Sequence, residues 1–376
     1  MIYLDNAANA PVFPEVLDAM LPWLRPDHVG NPGSIHTQGK RAREAINKAR
    51  EQVAHMIGAD PTEIYFTSGG TESNNAWLKG FKGRYLFTTE VEHDSVLEPL
   101  YQNDRACPVN HLELNKDGSV NLEEFEQLLS EFDNTGDAAS IMWVNNELGT
   151  VNPMKKIGAL CKKYNMLFHA DAVQAAGHVP MNVKDCGIDF CSLSGHKFGA
   201  PLGVGVLYIS RSVDKHPWIL GGGQENGLRG GTENVPGIVG IGKAAEIVTS
   251  RLSDWMSRWN VLRYNFLTTL AIKMPNGFHV NGSKNSTSNI ISLTIPGVNS
   301  ESLLLLLDQQ DIYLSAGSAC SAASSKSSHV LKGIGLSDED AACTVRISMG
   351  YETTVEEMVK VADAIVDVSA RLKSIF

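Results

Sequence analysis

A chain of 376 residues, 43% of them hydrophobic, exceeds the size at which one core usually stops growing, so two subdomains around a large apolar interior are expected. A formal charge of −10 excludes a broad phosphate-neutralising surface, and with it direct nucleic-acid binding as the main activity. Cys107, Cys161, Cys186, Cys191, Cys320 and Cys343 are scattered without a Cys-x-x-Cys pair, which excludes a disulfide framework or zinc finger, predicts no metal site and points to a reduced cytoplasmic setting.

In chain order, Met1 runs straight into Ile2, Tyr3, Leu4 and Asp5, which predicts no signal or transit sequence. Apolar runs of strand length recur at Ile64–Thr67, Tyr85–Thr88, Ser140–Val144, Met166–His169, Ile188–Leu193 and Val204–Ile209, with helical patterns between them at Leu122–Phe132 and Lys155–Tyr164. This alternation predicts an α/β fold, a mainly parallel sheet covered by helices, with ligands at the carboxyl ends of the strands. A long helical stretch from Pro236 to Met274, with a break near Asn260, ends the alternation. Ile290–Ile295, a helix at Glu301–Gln309, Ile312–Leu314, Val345–Ser348 and a last helix from about Thr354 then form a smaller α+β part. The polar stretches Asn281 to Ser288 and Ser321 to Ser328 read as mobile loops. In the C-terminal part the longest apolar run, Leu303 to Leu307, falls far short of the ~20 residues that span a bilayer, so no membrane role is expected.

Lys197 is the most informative residue, because Ser194, Gly195, His196 and Lys197 follow directly on a buried strand. Desolvation there favours the neutral amine, which attacks carbonyl groups to form a Schiff base. Gly69, Gly70 and Thr71 follow the strand at Ile64 and precede a helix, so free backbone N–H groups and a hydroxyl make a cup for a phosphate. Asp171 sits just past a strand and can face a protonated ring nitrogen, while Gln174 offers an amide to a phenolate oxygen. His93 follows another strand and can stack on a planar group or move a proton. Thr71, His93, Asn146, Asp171 and Lys197 thus arrive at one edge of one sheet. A phosphate cup, a carboxylate, an aromatic cover and a lysine are the four groups that pyridoxal 5′-phosphate needs.

Several long motifs carry a resemblance over nearly the whole chain: Gly30-Asn31-Pro32-Gly33-Ser34, Thr67-Ser68-Gly69-Gly70-Thr71-Glu72-Ser73-Asn74, Val144-Asn145-Asn146-Glu147, Ser194-Gly195-His196-Lys197 and Gly317-Ser318-Ala319-Cys320. The sequence resembles the class V aminotransferases and, within them, the cysteine desulfurases of the NifS and IscS type. That resemblance implies the fold type I of pyridoxal-phosphate transferases, with a mainly parallel seven-stranded sheet in a large domain at residues 15–258. A smaller α+β domain is implied at residues 1–14 and 259–376, where the cysteine loop lies.

The resemblance also assigns roles. Lys197 matches the Schiff-base lysine, His93 the ring-stacking residue, Asp171 the partner of the pyridine nitrogen and Gln174 the donor at the phenolic oxygen. Gly70, Thr71, Ser194 and His196 match phosphate contacts, and Thr232 matches a threonine that reaches the phosphate of the neighbouring subunit, which implies a homodimer. Asn146 and Arg346 match substrate-holding residues, with Asn31 assisting. Cys320 matches the thiol that takes sulfur from L-cysteine as a persulfide and passes it to a sulfur-acceptor protein. Asn9 and Ala10 stand where a Thr-Thr pair is common in the family, and the chain stops at Phe376 without the longer extension of housekeeping members. The acceptor pathway therefore stays open among an iron–sulfur scaffold, tRNA thiolation and DNA phosphorothioation. Another class V aminotransferase or lyase would keep Lys197, Asp171 and His93 without needing Cys320; a non-catalytic dimeric subunit of a sulfur-transfer complex would need none of them.

Overall fold

The structure is a computed structural model that describes residues 1–27, 29–102, 107–131, 136–317 and 328–374. Cys320 and residues 321–327 of the predicted loop lie outside the described residues.

The chain opens with β1 (Ile2–Tyr3), α1 (Pro14–Met20) and α2 (Thr37–Ile57), then alternates through β2 (Ile64–Thr67), α3 (Gly70–Gly80), β3 (Leu86–Thr88), α4 (Asp94–Gln102) and β4 (Val109–His111). It continues with α5 (Leu122–Ser130), β5 (Ala138–Met142), α6 (Met154–Lys163), β6 (Leu167–Asp171), β7 (Phe190–Ser194) and β8 (Gly205–Ile209). These strands form one seven-stranded sheet in the order β2-β8-β7-β6-β5-β3-β4. Only β8 runs against its neighbours, pairing antiparallel with β2 and β7, and the other pairings are parallel. β5 is buried at every residue, as a strand covered by helices on both faces must be.

Beyond the sheet come α7 (Val235–Lys273), β9 (His279–Asn281), β10 (Ile290–Thr294), α8 (Ser300–Asp308), β11 (Ile312–Tyr313), α9 (His329–Gly333), α10 (Asp338–Ala342), β12 (Thr344–Ser348) and α11 (Val355–Lys373). β12, β10 and β9 make an antiparallel sheet, and β11 pairs in parallel with β1. The N-terminal segment is thereby sewn to the C-terminal part: Asn6 Nδ2 donates to the Ser348 carbonyl at 2.9 Å, and the Ala7 N–H to Ser348 Oγ at 2.9 Å.

Two expectations fail. The predicted break near Asn260 is absent, since α7 runs unbroken for 39 residues. Trp255, Trp259, Leu262, Phe266 and Leu270 are buried at helical spacing through that point, and burial of this stripe outweighs the weak helix propensity of asparagine. Residues 281–288 are not a free polar loop either. Asn281, Ser283 and Thr287 are buried, and their polar groups find partners: Asn281 Nδ2 donates to Thr294 Oγ1 at 2.9 Å, and the Thr287 N–H to the Gly149 carbonyl at 2.8 Å. Among the described residues, no helix is long and apolar enough to cross a membrane.

Candidate active site

A cavity of about 260 Å³ opens at the carboxyl edge of the large sheet. Lys197 reaches it from the turn after β7, where Gly195–Lys197 make one tight helical turn. Its Nζ donates to the carbonyl oxygens of Ala7 and Ala8 at 2.7 and 2.9 Å. Gln174 Nε2 donates to the Ala7 oxygen as well, at 2.6 Å, while Gln174 Oε1 is buried with no partner among the described residues.

Asp171 ends β6 and is 3% exposed, so its oxygens need donors. One accepts the Val173 N–H at 3.0 Å and the other Asn74 Nδ2 at 2.7 Å. Asn74 also donates to Ser95 Oγ at 2.8 Å, and Ser95 Oγ lies 2.8 Å from His93 Nδ1. Because His93 Nδ1 accepts the Ser95 N–H at 3.0 Å, the proton of the neutral ring sits on Nε2. A chain of side chains therefore joins His93 to Asp171 across α3. One strand pleat below, His169 stacks on Trp77 with centroids 4.8 Å apart and has Ser140 and Ser192 hydroxyls at its two nitrogens. Burial pulls its pKa down to about 3, so β6 is seated on α3 by a neutral imidazole.

The opposite end of the cavity is lined by Gly70, Thr71, Ser194 and His196. No side chain caps α3 at Gly69, so the first N–H groups of the helix are left for a ligand. The backbone approach is close: a Cβ on Gly205 of β8 would stand 2.5 Å from Gly69 Cα, which only glycine allows. His196 Nδ1 lies 3.1 Å from Asn9 Oδ1, and burial, helped by the charge of Lys197, lowers its pKa to about 4. Asn9 thus occupies the place of the hydroxyl residue expected there with an amide turned to His196. Behind the cup, burial alone would raise the Glu72 pKa, but Arg229, Trp218 and Ser68 donate to its carboxylate and hold it at about 2.

On the substrate side, Arg346 is 2% exposed and donates to the Asn146 carbonyl at 3.0 Å and to Asp5 at 2.8 Å. Its Nε is buried and has no partner among the described residues. Arg346 and Asn146 both line the cavity. Glu92, fully buried beside His93, accepts the Met142 N–H at 2.8 Å and the Thr89 hydroxyl at 3.0 Å. Burial, reinforced by the charge of Asp171, pushes its pKa up to about 8.

Ten of the residues singled out in the sequence therefore line one cavity: Gly70, Thr71, His93, Asn146, Asp171, Gln174, Ser194, His196, Lys197 and Arg346. Three do not. Asn31 is exposed, accepts the Gly33 N–H at 2.8 Å and lines a separate cavity with Arg50 and Glu225. Thr232 is exposed beside a third, small cavity, and Cys320 lies outside the described residues. Glu92, Asn74, Ser95 and Asp5 went unassigned; Asn74, one turn after Gly70 on α3, was the one a helical count could have placed at the site. Among the described cysteines, Cys161, Cys191 and Cys343 are buried as expected of small apolar residues, while Cys107 and Cys186 are only half-buried.

An amine, a hydrogen-bonded carboxylate, an imidazole and an uncapped helix start around one cavity on a mainly parallel sheet define an enzyme of the pyridoxal-phosphate α/β class. The chain belongs to the aminotransferase class-V family, whose pattern it matches over residues 2–361. It is 41% identical to the cysteine desulfurase IscS of Methanosarcina thermophila, over 99% of this chain and 93% of that protein. Its fold superposes on a NifS-like protein with a TM-score of 0.90 at 36% identity, covering 98% and 99% of the two chains. A structure of SspA in complex with cysteine aligns with a TM-score of 0.78 at 35% identity, over 94% and 100% of the chains.

Proposed function

We propose that this protein is a cysteine desulfurase that uses pyridoxal 5′-phosphate to convert L-cysteine to L-alanine, leaving the sulfur as a persulfide on Cys320. The observation that carries this reading is the meeting of Lys197, Asp171, His93 and the Gly70–Thr71 cup in one cavity of about 260 Å³. The residues fit the coenzyme: the uncapped start of α3 suits its phosphate, and Gln174 Oε1 and Arg346 Nε, which have no partner among the described residues, are buried polar atoms that a polar ligand relieves. When bound, the coenzyme supplies an aldehyde for amines and a ring that takes up the electron pair released at Cα.

Lys197 then holds the coenzyme and carries the Cα proton at Nζ. Asp171, fixed by Asn74 and Val173, faces the ring nitrogen, and His93 covers the ring with its proton on Nε2. Gly70, Thr71, Ser194 and His196 hold the phosphate, and Gln174 the phenolic oxygen. Arg346 and Asn146 bind the substrate carboxylate, the Arg346 Nε hydrogen having no acceptor among the described residues. Cys320 takes the sulfur, its thiol becoming a persulfide while the remaining three-carbon amino acid leaves as alanine.

We infer a homodimer as part of the same reading. Val12, Leu17, Leu21, Leu24, Val29 and Ile35 expose a run of large apolar side chains near the N-terminus, and Leu220 does so in the loop before Thr232. In a dimer Thr232 serves the phosphate of the neighbouring subunit, with Asn31 assisting its substrate. The chain divides on this reading into residues 15–258 and residues 1–14 with 259–376; the separate sheets of the two parts support it, with the boundary lying inside the continuous helix α7. A reduced cytoplasmic setting agrees with the five free cysteines described. The sulfur acceptor is a protein of an iron–sulfur, tRNA-thiolation or DNA-phosphorothioation system.

The test is incubation of the holoenzyme with L-cysteine, with quantification of alanine and mass spectrometry of the peptide bearing Cys320. A sulfur adduct on that peptide, with alanine formed in step, supports the proposal. Unchanged alanine production by the Cys320→Ser variant in the presence of a reducing thiol rejects it.

A further inference from the structure

Arg346 and Ser348 stand two residues apart on β12, so their side chains leave on one face of the strand, and both meet the N-terminal segment. Asp5 pairs with Ser348 through an isolated backbone bridge, and its Oδ1 accepts from Arg346 Nη2 at 2.8 Å. Arg346 is almost wholly buried and Asp5 partly so, which makes this an ion pair that water screens little. A guanidinium so placed needs a counter-charge, and Asp5 supplies it.

The backbone of the same residue does a second job. The Asp5 carbonyl closes a tight turn by accepting the Ala8 N–H at 3.0 Å, and Tyr3 Oη donates to the carbonyls of Asp5 and Asn9 at 3.1 and 2.9 Å. Ser348 Oγ takes the Ala7 N–H at 2.9 Å. So held, the turn aims the carbonyls of Ala7 and Ala8 at Lys197 Nζ, at 2.7 and 2.9 Å. One turn therefore grips the amine through its backbone and the arginine through a side chain. An α-amino acid carries its amine and carboxylate on one carbon, so a site that takes both must hold the two receiving groups at a fixed spacing.

We propose that Asp5 is a positioning residue for the substrate carboxylate, holding the Arg346 guanidinium at a set spacing from Lys197 through the turn the two share. This rests on Arg346 being the group that receives the carboxylate. Two effects of Asp5 oppose each other. Its charge weakens the pull of Arg346 on a second carboxylate, while its hydrogen bond keeps the planar fork of the guanidinium aimed. Without Asp5, a long buried side chain has lost its counter-charge and turns to find another or to reach water, so aim is lost before attraction is gained. The orientation effect is the larger.

The test titrates the coenzyme absorbance of the holoenzyme with L-alanine and with ethylamine, which differ only by the carboxylate, and measures kcat and KM for L-cysteine beside it. Asp5→Ala is expected to weaken L-alanine binding and to raise KM about ten-fold each, with ethylamine binding and kcat within about two-fold of wild type. Asp5→Asn, which keeps an acceptor oxygen in place, is expected to stay within about three-fold of wild type throughout. Should Asp5→Ala fail to fold, Asp5→Glu carries the comparison. It keeps the charge but sets the carboxylate one methylene further out, and is expected to weaken L-alanine about five-fold while leaving ethylamine as it was. The proposal is overturned if L-alanine binding is unchanged or tightens, or if ethylamine weakens in step with it, as a merely structural role would require. Arg346→Ala tests the reading underneath, with an expected loss of at least about ten-fold for L-alanine and none for ethylamine. If that loss appears and the Asp5 variants match wild type, the role of Asp5 alone is rejected. If Arg346→Ala binds L-alanine as the wild type does, the carboxylate role of Arg346 fails and the proposal falls with it.

Discussion

Gln174 Nε2 and Lys197 Nζ donate to the same atom, the carbonyl oxygen of Ala7, at 2.6 and 2.7 Å. The N-terminal segment that supplies this oxygen is bound to β12 through Asn6 and Ala7, so the amine is aimed by the C-terminal part of the chain as well as by β7. Removing the amine leaves that scaffold intact. Lys197→Ala is expected to lower desulfurase turnover by roughly three orders of magnitude or more, the scale on which nucleophilic and proton-carrying groups act. Borohydride should then fix no coenzyme to the protein, whereas in the wild type it should fix it at the peptide containing Lys197. Covalent capture at any other peptide rejects the assignment.

Asn74 carries the next prediction, because its amide bridges Asp171 and Ser95 and so links the carboxylate to the loop of His93. Asn74→Ala leaves one Asp171 oxygen without its donor in a buried place. The expected loss is about 1–3 kcal/mol, read as a weakening of coenzyme retention in dialysis by about five-fold or more, with Lys197 still trapped by borohydride. Unchanged retention would show that Val173 alone orients the carboxylate.

The sheet and the residues on its carboxyl edge were legible because each strand is a short apolar run followed at once by a polar residue, as at Leu167–Asp171 and Phe190–Ser194. β4 was not, since Val109–His111 is a half-exposed edge strand without that pattern. Asn74 and Glu92 escaped notice for a different reason. Their value lies in contacts between elements distant in the chain, such as the 97 residues between Asn74 and Asp171, which spacing does not reveal. Asn31 and Thr232 were legible only through the family's motifs, and within one subunit they stand at other cavities.

Glu92 makes a prediction about pH. With its folded pKa raised to about 8 by burial, above the ordinary 4.5, the folded protein holds a proton there that the unfolded chain gives up. Stability from this group is complete below about pH 4.5 and is lost progressively as pH rises through about 8, with a size of a few kcal/mol. His169 acts in the opposite sense: burial depresses its pKa from 6.5 to about 3, so its neutral form stabilises above 6.5 and that stability is lost as pH falls towards 3. Glu92→Gln keeps an acceptor for the Met142 N–H and removes the first slope. Urea midpoints at about pH 5, 6.5 and 8 should fall with rising pH more steeply in the wild type than in this variant. Parallel profiles for the two proteins would mean that Glu92 is ionised in the fold.

Thr232 yields the test of shared sites. Its loop is pinned twice: Arg229 and Trp218 donate to Glu72 behind the phosphate cup, and Arg50 donates to Glu225 at 2.9 and 2.7 Å. Glu225 and Asn226 adopt positive φ, at 45° and 58°, a turn that most residues would not make. Within one subunit Thr232 lines a different cavity, with Ser68 and Arg229. If it completes a neighbour's site, Lys197→Ala and Thr232→Ala subunits are each defective as homodimers, yet a hybrid dimer holds one site with both residues intact. Random re-assortment of equal amounts makes half the dimers hybrid, so the mixture is expected to reach about a quarter of wild-type activity. The Thr232→Ala homodimer alone is expected to lose about ten-fold, the scale of one hydrogen bond to a phosphate. A mixture no more active than the average of its two parents would mean that Thr232 serves its own subunit, or that the chains do not share sites at all.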